Sequence, residues 1–463
     1  MHLTRWLLLV LAACQSDVSL GGPNTLVRVD HEPGGPDCPA GGVAIHTGLD
    51  HDGDTFLDDD EITSTQFVCN GSTAVQCAGG RVLTGTITVR EARDWSQLDG
   101  IACIDGDLLI AGITSDAIPA RPDLQIVTGS LVIAGNPNLT SLTGLAALRE
   151  VGVSYMIESN DALTDISALG ALRRAGGIQL TGNDALRDLT GLETLIDIDT
   201  VLLISNNANL VSLAGLENLQ TSTRSIAIRT NPMLSAIALD QLRQATLLEI
   251  TGNDALKTVS LAGLKKIDVR LTISENSALG SLALPALSIV GDFARFESDP
   301  LLAAVELPAL LTINSLRVSA DSSLTSFSAP NLVFTSSDLQ LGSLPRLTSV
   351  RFDHLTSIGD ALVFGNLPVL ADLSGFAELR TIGGALTVTS SGALRDFTGL
   401  GALETVAGAM TVTGNAQLRS FSGLTRLREV DGDLTITNNP MLPGAISQAF
   451  AQRITVHGTV TVN

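Results

Sequence analysis

Aromatic residues are scarce in this sequence, at 3% of 463 positions, with two Trp and one Tyr. Bases are scarce as well: 27 Lys and Arg stand against 48 Asp and Glu, a formal charge of -21. A cationic stripe that neutralises phosphates and aromatic platforms that stack bases are therefore both in short supply, which excludes nucleic acid as the expected partner. The same acid excess opposes electrostatic docking on anionic lipid. Cysteines number five and form no C-x-x-C pair, so common zinc and redox arrangements are missing. What the chain has is aliphatic: 44% of residues are hydrophobic, enough to bury a large core and to exclude disorder for the bulk.

At the N-terminus a single Arg5 precedes the apolar run Trp6 to Ala13, eight residues, which is too short to span a bilayer and reads as a secretory signal. The run ends Leu11-Ala12-Ala13-Cys14, which resembles the lipobox of bacterial lipoproteins. That resemblance implies removal of residues 1–13, lipidation of Cys14 and attachment to the cell envelope, with Gln15 pointing to the outer membrane. Residues 14–35 would then be a tether. Setting Cys14 aside leaves Cys38, Cys69, Cys77 and Cys103, which can pair in three ways. Export makes disulfides the default, and the spacings favour Cys38 with Cys69 and Cys77 with Cys103.

Residues 50–61 read DHDGDTFLDDDE and hold seven carboxylates. As a twelve-residue calcium loop they place Asp50, Asp52 and Asp54 at positions 1, 3 and 5, the Phe56 carbonyl at 7, Asp58 at 9 and Glu61 at 12. Hard Ca²⁺ takes oxygen ligands in this arrangement, so a structural calcium ion is the expected cofactor. Thr55 stands where the pattern has Gly, and VAIHTGL ahead of the loop is extended rather than helical. The plain alternative is a solvated acidic loop. The surrounding residues 36–71 resemble a small two-Cys, Asp-loop module of bacterial exported proteins.

From Leu131 onward the chain repeats. LVIAGNPNLTSLTGLAALREV at 131–151 is echoed by IQLTGNDALRDLTGLETLIDI at 178–198. Aligned on the Asn, the marker positions are 136, 160, 183, 207, 231, 253, 276, 299, 321, 344, 367, 391, 415 and 439, at intervals of 22 to 24; Asp299, Asp321, Leu344, Leu367 and Ser391 replace the Asn. A fixed period of this size means a solenoid rather than several globular domains. Leu139, Leu142, Leu145, Leu148 and Val151 are spaced by three, which smears around an α-helix and does not fit a flat strand. A coil that turns a corner every few residues fits. Leu131-x-Ile133 supplies one true strand per turn, and each Asn is placed to cap backbone groups inside the coil.

The pattern L-x-[LIV]-x-x-N matches the leucine-rich repeat core, and the remainder of the unit resembles the receptor L-domain. The resemblance implies an all-β, right-handed parallel β-solenoid of about 14 to 15 turns over residues 77–463, with 77–130 as N-terminal cap and 443–463 as C-terminal cap. Turns from Leu234 to Leu347 instead step by two, as in Leu282-Ala283-Leu284-Pro285, so one side there should become a strand, with Pro285, Pro308 and Pro330 at a corner. Large rings are expected to disturb so narrow a coil. Ile446, Ala449 and Phe450 mark the apolar face of a capping helix.

On the outer face of the Asn-side strand, Arg229, Glu249, Arg295, Glu297 and Arg317 form a charged group that could meet a ligand, and Thr387/Thr389, Thr411/Thr413 and Thr435/Thr437 form a T-x-T ladder suited to plain exposed strand. Arg351, Asp353 and His354 cluster without a nucleophile at a recognisable spacing, so no enzymatic activity is expected. The expectation is a surface protein that binds a protein or glycan ligand and touches the membrane only through its lipid anchor. A passive envelope component and, further off, a β-helix carbohydrate-active enzyme are the alternatives.

Overall fold

The computed structural model describes residues 25–32, 42–49, 61–69, 76–77 and 79–463. The chain divides into two units, Met1–Gln76 and Cys77–Asn463. In the first, strands β1 (Thr25–Glu32), β2 (Gly42–Leu49) and β3 (Ile62–Cys69) form an antiparallel sheet in chain order. VAIHTGL is thus extended, as its lack of helical spacing required. β1 pairs with β2 along its whole length, from Thr25 against Leu49 to Glu32 against Gly42. The small module therefore begins inside the segment expected to be a tether.

The second unit is a parallel β-solenoid of about 17 turns. At roughly 4.8 Å per turn, a stack of that size is about 80 Å long. Its Asn-side strands run from Ile87–Val89 to Val460–Val462, each in register with the next; Tyr155, Met156, Ile157 and Glu158 lie between Leu131 to Ala134 on one side and Ile178 to Thr181 on the other. The coil has more turns than the Asn markers announce because residues expected as a cap are already coiled. Ile87–Val89 pairs with Leu108–Ala111, and Leu108–Ala111 with Leu131–Ala134. The marker is missing there because Ile113 fills its place, its amide donating to the Asn136 side chain at 2.9 Å. Cys77 and Cys103 form a disulfide with 5.5 Å between Cα atoms.

The three-residue spacing does what it requires: Leu139, Leu142, Leu145, Leu148 and Val151 are all buried, each on a different segment of one turn. Glycine before the third Leu is needed by close approach. A Cβ on Gly399 would lie 2.0 Å from the Leu373 carbonyl oxygen of the turn below, and one on Gly423 the same distance from that of Phe397. Where the step shortens to two, that side becomes strand, from Ala236–Ala238 to Ser349–Arg351. Pro285, Pro308 and Pro330 sit in the turns just after these strands. Over the same stretch two short strands fuse into one of eight or nine residues, such as Lys266–Ser274 and Ile289–Glu297. The cross-section thus changes after Asn231, and beyond Leu367 the three-residue step returns with a 3₁₀ turn at Ser374–Phe376.

Aromatic rings are accommodated differently from expectation. They collect in the interior and stack on one another: Phe327 on Phe352 at 5.6 Å, Phe352 on Phe376 at 5.1 Å, Phe376 against Phe364 at 5.4 Å. A ring is tolerable when the next turn offers another ring at the same place. A helix, α1 (Gly444–Arg453), closes the far end. Its buried face keeps one of the three expected residues, Phe450. Ser447 and Phe450 point inward and Phe450 stacks on Phe421 at 4.0 Å, whereas Ile446 and Ala449 are exposed.

Candidate functional surfaces

The marker asparagines build a hydrogen-bonded ladder inside the rod. Asn160 is representative: its Oδ1 accepts the backbone amide of Asn136 at 3.2 Å and the Asn136 Nδ2 at 2.9 Å. Its own Nδ2 donates to the Ile133 carbonyl at 2.9 Å and the Glu158 carbonyl at 3.1 Å. The pattern continues through Asn183, Asn207, Asn231 and Asn253 to Asn276. The residue before each Asn turns the corner in the left-handed region, as Gly135, Gly182 and Gly252 do at φ 64 to 66°, and as Thr230 does at 52° despite its branched side chain.

At Asp299 and Asp321 the ladder changes chemistry. Asp299 Oδ1 still accepts the Asn276 amide at 2.7 Å and its Nδ2 at 3.2 Å, and the Asp299 amide donates to Asp321 Oδ1 at 2.8 Å. The Oδ2 atoms, which stand where an amide Nδ2 would donate, are buried and have no partner. Burial pushes the Asp299 carboxyl up to about 6 against the opposing pull of the Asn276 donors, and Asp321 up to about 7, with Glu297 adding to both. A carboxyl that keeps its proton restores the missing donor. Tyr155 is also wholly buried, with an unpartnered hydroxyl that burial holds far above its ordinary range.

The charged group on the outer face divides into two internally paired sets. Arg229 pairs with Glu249 one turn away. Glu297 takes Arg295 at 3.1 Å and Arg317 at 3.9 Å, while Arg295 also lies over the Phe293 ring at 5.3 Å. The turn carrying Thr272 separates the sets, since Glu249, Thr272 and Arg295 are successive register partners. The T-x-T residues do stack: Thr387, Thr411 and Thr435 form one column and Thr389, Thr413 and Thr437 the next, with the Thr413 and Thr437 hydroxyls 2.9 Å apart. Arg351 pairs with Asp353 at 2.6 Å and His354 faces Glu378 at 3.5 Å, so these three do not converge on one point.

Of the expected calcium ligands, Asp50, Asp52, Asp54, Phe56 and Asp58 lie outside the described residues, as do Cys14 and Cys38; Glu61 is described and buried, and Cys69 ends β3. A different set of metal-capable side chains is assembled at the far end of the rod. His457 Nε2 lies 2.8 Å from Glu429 Oε1 and 3.9 Å from Asp431 Oδ1, and one ligand atom of each falls within 4.8 Å of the others. An imidazole with two carboxylates suits a zinc-like ion better than calcium, which takes an all-oxygen shell. Register alone creates this group: Glu429 is paired with Thr455, two residues before His457.

Clefts are shallow. One cleft, of about 480 Å³, lies between α1 and the turn of Phe421, lined by Ile446, Ala449, Phe450 and Arg453. Another of about 330 Å³ sits beside Trp95 and Arg121, where Arg121 lies over the Trp95 ring at 5.4 Å and is paired to Asp99. Among the described residues no helix is long and apolar enough to cross a membrane.

Among known proteins, residues 24–69 match a family model described as Domain of unknown function (DUF7151), and these bounds enclose β1 to β3. No curated protein matches the chain.

Proposed function

We propose that this chain is an exported, lipid-anchored recognition protein of the bacterial cell surface, whose solenoid binds a protein or glycan ligand. The observation that carries this reading is the stack of about 17 turns, whose Asn-side strands pair residue for residue and so hold outward side chains in columns. Such a surface needs little ordering when a ligand arrives, so less of the contact energy is lost on binding. Cys14 is the lipid-bearing residue in this reading, the solenoid is of the receptor L-domain and leucine-rich-repeat kind, and Asp50, Asp52, Asp54, Phe56, Asp58 and Glu61 hold a structural calcium ion.

Glycan-array and pull-down screening with the full chain tests the reading. Saturable binding to at least one ligand is the expected result; an absence of any saturable ligand overturns it. The anchor is tested separately by Cys14→Ser, which should move the protein out of the membrane fraction.

A further inference from the structure

The acid excess of the whole chain, 48 against 27, is not spread evenly along it. One edge of the coil runs just ahead of the short strands, and its residues are joined turn to turn by backbone hydrogen bonds. The Lys265 amide donates to the Arg243 carbonyl at 2.9 Å, Ser288 to Lys265 at 2.9 Å, Leu311 to Ser288 at 2.9 Å and Val333 to Leu311 at 3.1 Å. The column continues through Thr356, Arg380 and Glu404 to Arg428 by the same bond. Nine successive rungs thus carry four bases and one acid, the reverse of the chain's bias, and that acid, Glu404, faces Arg380 at 3.7 Å. Further back, Arg173 stacks on Arg149 in the same way. Arg243, Lys265 and Arg428 are exposed and have no ion-pair partner among the described residues.

Between the basic rungs lies an exposed apolar stretch. Leu311 is 47% exposed, Val333 42%, Phe334 41% and Ile289 37%, on three adjoining turns. Ile289 and Phe334 flank Thr312 in one register column. An apolar patch with a charged rim, on a surface this regular, marks a place of contact.

We propose that this edge binds an acidic polysaccharide lying along the rod axis. The inference rests on the recognition reading above and names its face and ligand class. Guanidinium and ammonium groups of Arg243, Lys265 and Arg428 take the carboxylates, and the C–H faces of sugar rings lie on Leu311, Val333 and Phe334. The turn spacing of about 4.8 Å is close to the length of one sugar in an extended chain, so successive sugars meet successive rungs. The negative charge elsewhere on the chain does not forbid this, because at physiological salt it is screened beyond about 8 Å.

The test is calorimetric titration of the full chain with sodium alginate, a linear polyuronate, beside polyglutamate and neutral dextran. Circular dichroism checks that each variant stays folded. Alginate should bind in a salt-sensitive manner, and Arg243→Glu with Lys265→Glu should weaken it by about tenfold or more. Phe334→Ala should weaken alginate several-fold, Thr411→Ala should leave it unchanged, polyglutamate should bind more weakly, and dextran should not bind. No alginate binding, or binding indifferent to the charge reversals, overturns the proposal. Polyglutamate binding as tightly as alginate, with Phe334→Ala silent, overturns the sugar assignment. A ligand found by array or pull-down whose binding ignores these substitutions sinks this edge but keeps the recognition reading; no ligand in any screen sinks both.

Discussion

Two stretches of the solenoid hold the same backbone in register by different means. From Asn136 to Asn276 the interior corner is an amide ladder, in which no marker Asn has a buried side-chain atom without a partner. From Asp299 to Leu367 the ladder gives way to two carboxyl rungs and then to two leucines, and in that region the interior fills with Phe327, Phe352, Phe364 and Phe376. The amides satisfy backbone groups that could not otherwise be buried, whereas the rings add apolar area and contact with each other. The lesson is that a repeat can lose its polar marker and keep its fold if large side chains take over the cohesion.

The comparison can be broken at either end. In the aromatic stretch, Phe376→Ala should cost about 3–5 kcal/mol by opening a cavity between the Phe352 and Phe364 rings, measured by chemical denaturation. In the amide stretch, Asn207→Ala should cost roughly 3–4 kcal/mol, because it leaves the Asn183 backbone amide without its acceptor and takes the Asn207 Nδ2 donor away from the Leu180 carbonyl. If Asn207→Ala were nearly silent, the ladder would be ornament.

The two carboxyl rungs give a sharper test because they respond to pH. Their folded-state values lie above that of an unfolded Asp, near 3.9. Their contribution is therefore fully present below that value and is lost as pH rises through about 6 for Asp299 and about 7 for Asp321. Asp321→Asn supplies the donor permanently. It should leave stability little changed at acid pH and raise it by roughly 2–4 kcal/mol on the alkaline side of 7, flattening the melting temperature against pH. A wild-type profile with no decline between acid and neutral pH would contradict the neutral-carboxyl assignment. The smallest effect is expected at Tyr155, whose hydroxyl serves nothing inside: Tyr155→Phe should be neutral or stabilise by about 1 kcal/mol in a thermal melt.

Much of this fold is readable from residues alone. The spacing by three from Leu139 to Val151 excludes helix and flat strand, and the switch to Leu282-Ala283-Leu284 announces the extra strand. Leu344 and Leu367 at marker positions already show where the ladder must stop. The left-handed corner is half legible, since Gly135, Gly182, Gly252 and Gly414 stand just before an Asn, but Thr230 and Glu275 adopt the same conformation without that signal. The turns before Leu131 escape because Ile113 replaces the marker. The Glu429, Asp431 and His457 group escapes for a different reason: its members are brought together only by which strand stacks on which. The pairing of Arg229 with Glu249 and of Arg317 with Glu297 is equally a matter of register, so their charge pointed to a face without revealing that the face is already paired.

The disulfide between Cys77 and Cys103 also decides how this rod would carry a load. In a coil of hydrogen-bonded turns, a pull on one end of the chain peels the outermost turn first, one bond at a time. Tension arriving along the chain from residue 76 meets Cys77 and passes through sulfur directly to Cys103, 26 residues further on. The opening turn is thereby relieved of tension and cannot be the first to unwind. An oxidised chain pulled from its N-terminal side should yield only when turns beyond Cys103 give way, so the covalent loop acts as a strain relief at the rod's root.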